Sequence, residues 1–309
     1  MTTSWQALLQ QQTALSTDTS SASTQQYMPL PQLGVIYVRG DDAQSFLQNL
    51  LTNDVNALAN NQSQLSGFCN AKGRLSAIFQ LIRRNDYYQL LLPKTMTAAL
   101  QQRLSMFVLR SKVTITDESE KSVCIGLINP THESLDTLGL SLNSIISDQY
   151  SDRYTSISPL DEISPLIEKL QQQQWSLNSE HVWEQLDIKA GLATIYPQTK
   201  EKFTPQQVNL DLVDGVSFNK GCYPGQEVVA RLHYLGKPSR RLFIAEIKCP
   251  DALTVGDEVS TEAGDIAGHI VRLAGKQSET VQLLVSLKLS ELEKTLFIKQ
   301  AELSIVNTE

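Results

Sequence analysis

Cysteine is scarce in this 309-residue chain, which has only Cys69, Cys124, Cys222 and Cys249. No two of them form a CxxC pair, so neither a zinc knuckle nor an iron–sulfur ligand set is expected. Four cysteines are also too few for a disulfide scaffold at this length, and reduced thiols without a resident metal are the expectation. Histidine is as sparse. His132, His181, His233 and His269 are scattered, with neither ligand nor triad spacing. The chain begins Met-Thr-Thr-Ser-Trp-Gln and lacks the basic stretch and apolar run of a signal peptide. Apolar runs such as Leu90-Leu91-Leu92 are far too short to span a bilayer. A cytoplasmic protein with no membrane partner is therefore expected. Positive charge is in deficit: 26 Lys and Arg stand against 33 Asp and Glu, a net charge of −7. Such a chain is a poor starting point for direct nucleic-acid binding.

What is present divides into three stretches. Residues 1–26 are expected to be largely a mobile tail, because Gln10 to Gln26 is almost entirely Gln, Ser, Thr and Ala. Trp5, Leu8 and Leu9 fit a short docked helix. From Tyr27 the periodicity is regular. Val35–Val38 reads as a strand, and Ala43, Phe46, Leu47, Leu50 and Leu51 recur at helical spacing. Leu65–Asn70, Leu75–Ile82 and Tyr87–Leu92 read as strands, Met96 to Val108 as a helix, and Lys112–Thr116 as a strand. That order, β-α-β-β-β-α-β, is a ferredoxin-like unit with one extra strand. Val123–Asn129 opens a second α+β stretch, and Val182–Leu192 closes it as a helix. From Leu242 five short alternating segments, the last of them Leu296–Val306, predict a small β-barrel or sandwich. The fold class is thus α+β, with an α+β region over 27–239 and a β domain over 240–309.

The chemistry concentrates in Lys220-Gly221-Cys222-Tyr223-Pro224-Gly225-Gln226-Glu227. Gly221 and Gly225 permit positive φ and close approach of another molecule to the backbone. Lys220 can meet a carboxylate, and Tyr223 can stack on a flat ring while its hydroxyl hydrogen-bonds. Gln226 and Glu227 read as the opening of a helical turn. Cys222 is expected to be acidified by Lys220 and that helix start. Arg231 lies four residues beyond Glu227 and can pair with it on one helix face. Between Lys220 and Arg241 there are five basic residues and one acidic one. Lys72, Arg74, Arg83 and Arg84 make a second basic cluster. Either group reads as a solvated face or as an anion-binding rim. Cys69, Cys124 and Cys249 sit in strand-like runs and are assigned to packing.

The run Lys-Gly-Cys-Tyr-x-Gly-Gln-Glu resembles the hallmark of the YgfZ family, which a mitochondrial iron–sulfur assembly relative shares. The flanks agree: Phe203-Thr204-Pro205-Gln206 with Asn209-Leu210, and Gly215-Val216-Ser217-Phe218. So do Trp183 to Gly191, Gly40-Asp41, Phe46-Leu47-Gln48 with Thr52 and Asp54, and Asn70-Ala71-Lys72-Gly73-Arg74. The resemblance covers about Tyr27 to Arg241. It implies a fold like the glycine cleavage T-protein, with two ferredoxin-like domains and a C-terminal β-barrel. It further implies binding of tetrahydrofolate or another folate derivative. The residues implied in binding are Trp183, Lys220, Gly221, Tyr223, Gly225, Gln226, Glu227 and Arg231, with Glu227 facing the amino-pyrimidine edge of the pterin. The implied role is maintenance of iron–sulfur client enzymes, including tRNA-thiolating ones, with Cys222 as the functional thiol.

Two positions depart from the pattern. Where the T-protein has a catalytic Asp after its glycine-rich turn, this chain runs Gly73-Arg74-Leu75-Ser76-Ala77, without a carboxylate. Aminomethyl transfer is therefore not expected, unless Asp187 or Glu227 supplies the missing group. Leu33 stands where some relatives carry a folate-adjacent Trp. A one-carbon transferase, and an RNA- or protein-docking module using the basic rim, are the alternatives.

Overall fold

The computed structural model describes residues 4–13, 25–140, 145–147, 153–248, 252–275 and 280–306. In chain order the elements begin with α1 (Ser4–Thr13), β1 (Gln26–Pro29), β2 (Leu33–Arg39), α2 (Ala43–Gln48), β3 (Ser63–Cys69), β4 (Leu75–Arg83) and β5 (Tyr87–Pro93). They continue with α3 (Lys94–Ser105), β6 (Thr114–Asp117), β7 (Ser122–Ile128), α4 (His132–Leu138), β8 (Ile145–Ser147), β9 (Arg153–Pro159), α5 (Ile163–Gln172), β10 (Ser176–Leu177) and α6 (Glu180–Lys189). After a long connection come α7 (Gln226–Tyr234), β11 (Arg240–Lys248), β12 (Glu258–Thr261), β13 (Ile266–Leu273), β14 (Thr280–Lys288), β15 (Leu296–Ile298) and β16 (Ala301–Ile305).

The expected α+β class holds: two ferredoxin-like sheets and one barrel. Elements β2 to β6 follow the order read from periodicity, and their strands hydrogen-bond in the order β3-β4-β5-β2-β6. Elements β7-α4-β8-β9-α5-β10 form the second such unit. Its sheet order is β10-β1-β7-β9-β8, so β1 is inserted between the first and last strands of the motif.

Two compact units emerge from the packing. One comprises residues 1–43, 58–63 and 80–183; the other comprises 44–57, 64–79 and 184–309. The chain therefore divides within α6, between Trp183 and Glu184, rather than at the change of periodicity near residue 240. The first unit has a core in which α5 presents Ile163, Leu166, Ile167 and Leu170 at helical spacing to Val123, Ile125 and Leu127 of β7. Leu8 of α1 is buried in the same cluster, with Trp5 packed against it. Burial of each such side chain is worth about 1.5–3 kcal/mol. The stretch expected to be tail from Gln10 is helical as far as Thr13, and Gln12 is buried with its amide donating to the Pro29 carbonyl at 3.1 Å. Of the rest of that expected tail, residues 14–24 lie outside the described residues, while Gln26 opens β1 and is buried.

In the second unit the barrel closes in the order β11-β14-β13-β12-β15-β16. Strict alternation fills it: Val281, Leu283, Val285 and Leu287 of β14 all point into one core with Ile270, Ile298 and Leu303. The segment expected as one strand, Leu296–Val306, is a hairpin. It turns at Lys299 and Gln300, both at positive φ (47° and 71°). Such a turn normally announces itself with Asn-Gly, which is why this pair hid it. The 3-10 turn Pro205–Val208 is tied to the barrel, with Ser286 Oγ donating to the Gln207 carbonyl at 2.7 Å and Asn209 Nδ2 to that of Leu242 at 3.0 Å. The connection that carries the signature thus shares a unit with the barrel.

Candidate functional site

Lys220 faces inward. It is only 8% exposed, and its ammonium donates to the carbonyls of Gln48 (2.6 Å), Leu51 (2.6 Å) and Asn53 (3.0 Å). These are carbonyls at and beyond the end of α2, where helical geometry leaves acceptors without intrahelical donors. An ammonium has three protons, and all three are used here. The expectation that Lys220 greets a ligand carboxylate is therefore corrected: its donors hold the backbone. Burial pushes its pKa down to about 8, against the pull of nearby Asp54. Its Nζ also lies 5.4 Å from the centroid of the Tyr223 ring.

The segment that Lys220 grips is itself stitched. Gln48 Nε2 donates to Asp54 Oδ1 (3.0 Å), and its Oε1 accepts from the Val55 amide (2.7 Å). Thr52 Oγ1 donates to the Gly215 carbonyl (2.7 Å) and accepts from the Gly67 amide (2.8 Å). The Gln48, Thr52 and Asp54 positions singled out in the sequence are thus the frame on which the loop is mounted.

The second anchor is backbone against backbone. Asn70–Arg74 forms a tight turn in which Asn70 Oδ1 accepts from the amides of Lys72 (2.9 Å) and Arg74 (3.1 Å), with Gly73 at φ +68°. Gly225, at φ +79°, caps α7 and meets this turn so closely that a Cβ would lie 2.4 Å from the Asn70 carbonyl oxygen and 2.5 Å from the Gly73 nitrogen. Gly225→Ala is expected to cost about 2–4 kcal/mol, from left-handed backbone strain plus a clash with rigid main chain. A urea unfolding midpoint unchanged from wild type would contradict this.

Between these anchors Gly221 and Cys222 are exposed, and nothing lies within 4 Å of where a Gly221 Cβ would be. Tyr223 turns the other way: it is buried, and burial raises its hydroxyl pKa further above the ordinary range. Gln226 is half-buried, while Glu227 and Arg231 are exposed on α7. Among the described cysteines Cys222 is the exposed one. Cys69 and Cys124 are buried, and burial pushes each up to about 12, as packing residues. Cys249 lies outside the described residues.

Trp183 belongs to the first unit, whereas the other candidates belong to the second. Its ring is buried against Gly126, where a Cβ would come within 2.5 Å of the indole, and Arg153 lies over it at 4.6 Å. Gly126 is the gap that the indole fills. The second basic cluster does not form as one rim. Arg84 is buried and donates to Gln89 Oε1 (2.9 Å), and Arg83 donates to the Leu58 carbonyl (2.9 Å).

The carboxylate missing from the T-protein pattern is not replaced by Asp187. Ala77 is buried on β4. Asp187 is held by Arg272, whose charged form is favoured: burial opposes it, but Asp187, Tyr196 and Glu184 together outweigh burial. The carboxylate beside this stretch is one that sequence reasoning missed. Glu201 accepts from Ser76 Oγ at 3.1 Å, across a separation of 125 residues that no local pattern records. Among the described residues no cluster of His, Cys, Asp and Glu is arranged to hold a metal ion, and no helix is long and apolar enough to cross a membrane.

No family model matches the chain. The chain is 32% identical over 263 residues to the tRNA-modifying protein YgfZ of Colwellia psychrerythraea, covering 78% of this chain and 79% of that protein. It is 31% identical to the tRNA-modifying protein YgfZ of Photobacterium profundum, over 76% of this chain and 74% of the relative. Among solved structures, the glycine cleavage system aminomethyltransferase T from Bartonella henselae superposes with a TM-score of 0.74 at 17% identity, covering 93% of this chain and 86% of the other. That likeness is one of fold: a T-protein-like architecture, as the sequence resemblance implied. With relatives of this identity and coverage, and the complete Lys220–Glu227 hallmark in place, the chain belongs to the YgfZ family.

Proposed function

We propose that this protein binds tetrahydrofolate or a related folate and acts as an accessory factor for iron–sulfur enzymes, including those that modify tRNA, with Cys222 as its working thiol. The observation that carries this reading is the doubly anchored loop. Lys220 and Gly225 are committed to the backbone on either side, so Cys222 is offered to solvent at a defined place rather than on a loose segment. The names borne by the relatives from Colwellia and Photobacterium support the tRNA-modification part.

The donor set fits a folate. Glu227 is an exposed carboxylate able to accept two parallel N–H groups of an amino-pyrimidine, and Gln226 offers an amide beside it. Gly221 leaves its backbone approachable, and exposed Arg231 can meet an anionic tail. Tyr223 and Lys220, both buried, hold the loop from within the same unit. A reduced folate supplies a one-carbon carrier. Cys222, in the same loop, supplies a nucleophile and a potential transient ligand; a stable cluster needs further ligands from a partner.

Titration with tetrahydrofolate, followed by calorimetry and by tryptophan fluorescence, tests binding. Saturation is expected, and it should weaken in Glu227→Gln. A silent calorimetric titration would remove the folate from the proposal. Cys222→Ala is expected to keep fold and folate affinity but to abolish complementation of a deletion strain. Full complementation by that variant would reduce Cys222 to a bystander. The transferase reading predicts turnover of an aminomethylated donor; its absence, with folate binding intact, favours the accessory role.

A further inference from the structure

We propose that the C-terminal half of α7 and the loop that follows it form a docking face for single-stranded RNA. The proposal does not depend on folate. Phe218 and His233 stack with ring centroids 3.6 Å apart and planes 13° from parallel. Tyr234 stands edge-on, 4.7 Å from His233 and 6.2 Å from Phe218. Those three separations make the angle at His233 close to a right angle. Tyr234 therefore lies beside the imidazole, and neither ring covers its outer face. His233 is exposed, Tyr234 is 64% exposed and Leu235 is 85% exposed.

A two-ring stack with an open outer face is a platform that an unstacked base extends. The charge around it has the sign an RNA backbone requires. From Val228 to Ala245 the chain carries Arg231, Lys237, Arg240 and Arg241 and no acidic residue, in a protein of net charge −7. Arg241 is engaged by Asp211 at 2.7 Å, while Arg231 and Lys237 are exposed. The turn at Gly73, which packs on α7 through Val228, adds exposed Lys72. Glu227 at the start of α7 is the one acidic residue between Lys220 and Arg241, so the net-charge argument against nucleic acid is weaker at this face than for the chain as a whole. Leu235 is exposed as well, but the cations beside the rings favour a polyanion over an aliphatic protein partner. A paired duplex is matched less well still, since its bases are not free to stack.

Fluorescence anisotropy of a labelled ten-nucleotide single-stranded RNA, against the full chain at 50 and 200 mM KCl, tests this. Saturable binding is expected, weakening as salt rises. His233→Ala with Tyr234→Ala should weaken it about fivefold or more, the lower end of the effect of losing one base–aromatic stack. Lys237→Gln should flatten the salt dependence. Tyr234→Leu, which keeps apolar bulk at that position, checks that any loss comes from the ring; circular dichroism melting confirms that each variant folds. The proposal is overturned by no saturable binding at 50 mM KCl, by equal affinity for a duplex, or by an aromatic double variant that binds as tightly as wild type. The last result would mark a contact made by charge alone.

Discussion

Lys220→Met is expected to destabilise the protein by about 3 kcal/mol while leaving its secondary structure in place. Methionine fills a similar volume but strips donors from the carbonyls of Gln48, Leu51 and Asn53. Each lost charge-assisted hydrogen bond is worth about 1.5–3 kcal/mol. Part of that loss is offset because the ammonium itself is costly to bury. The same cost has a pH signature. The folded-state pKa of Lys220 is held near 8, below its ordinary 10.5. The unfolded chain therefore binds this proton more tightly, and stability attributable to the group rises with pH between those values. The rise should approach about 3 kcal/mol in wild type and vanish in Lys220→Met. Urea unfolding at pH 7.5 and 10 measures both. A variant with wild-type stability and an unchanged pH slope would show that the lysine does not hold this backbone.

Arg272→Met should be of similar size, about 3–5 kcal/mol, for a different reason. Arg272 sits after a register shift in β13, and its side chain is about 10% exposed. Besides Asp187 it donates to Thr194 Oγ1 (2.9 Å) and to the Leu192 carbonyl (3.3 Å). Removing it takes the guanidinium away from an Asp187 carboxylate that is only 12% exposed. Breaking one partner of a buried pair costs far more than replacing both. The double variant Asp187→Leu, Arg272→Met should therefore recover much of the loss. Additive losses in that cycle would mean that the pair is not coupled. The same pairing bears on function. A carboxylate held by a buried guanidinium is poorly placed to serve as the general base that the transferase alternative requires.

The hallmark run, the alternation of the barrel strands and the β-α-β-β-β-α-β order were all legible in the sequence, because each is a local pattern of residue type. Helical spacing in α5 and period-two spacing in β14 record which face is buried without reference to the rest of the molecule. Less was legible where the partner is distant. The Lys299-Gln300 turn reads as strand, since neither residue is one that normally adopts positive φ. Residue type alone made Lys220 a ligand-facing cation, as loop lysines often are. Its three acceptors lie up to 172 residues earlier in the chain, so only the folded backbone shows that it points inward. Gly225 is the mirror case: glycine at that position was visible, but the reason for it, the Asn70–Arg74 turn pressed against it, was not. By itself, then, the sequence determined the family, the class of fold and the exposed chemistry around Cys222. Tertiary structure decided which of the neighbouring residues hold the loop and which face outward, because burial and hydrogen-bond saturation depend on groups that chain order keeps far apart.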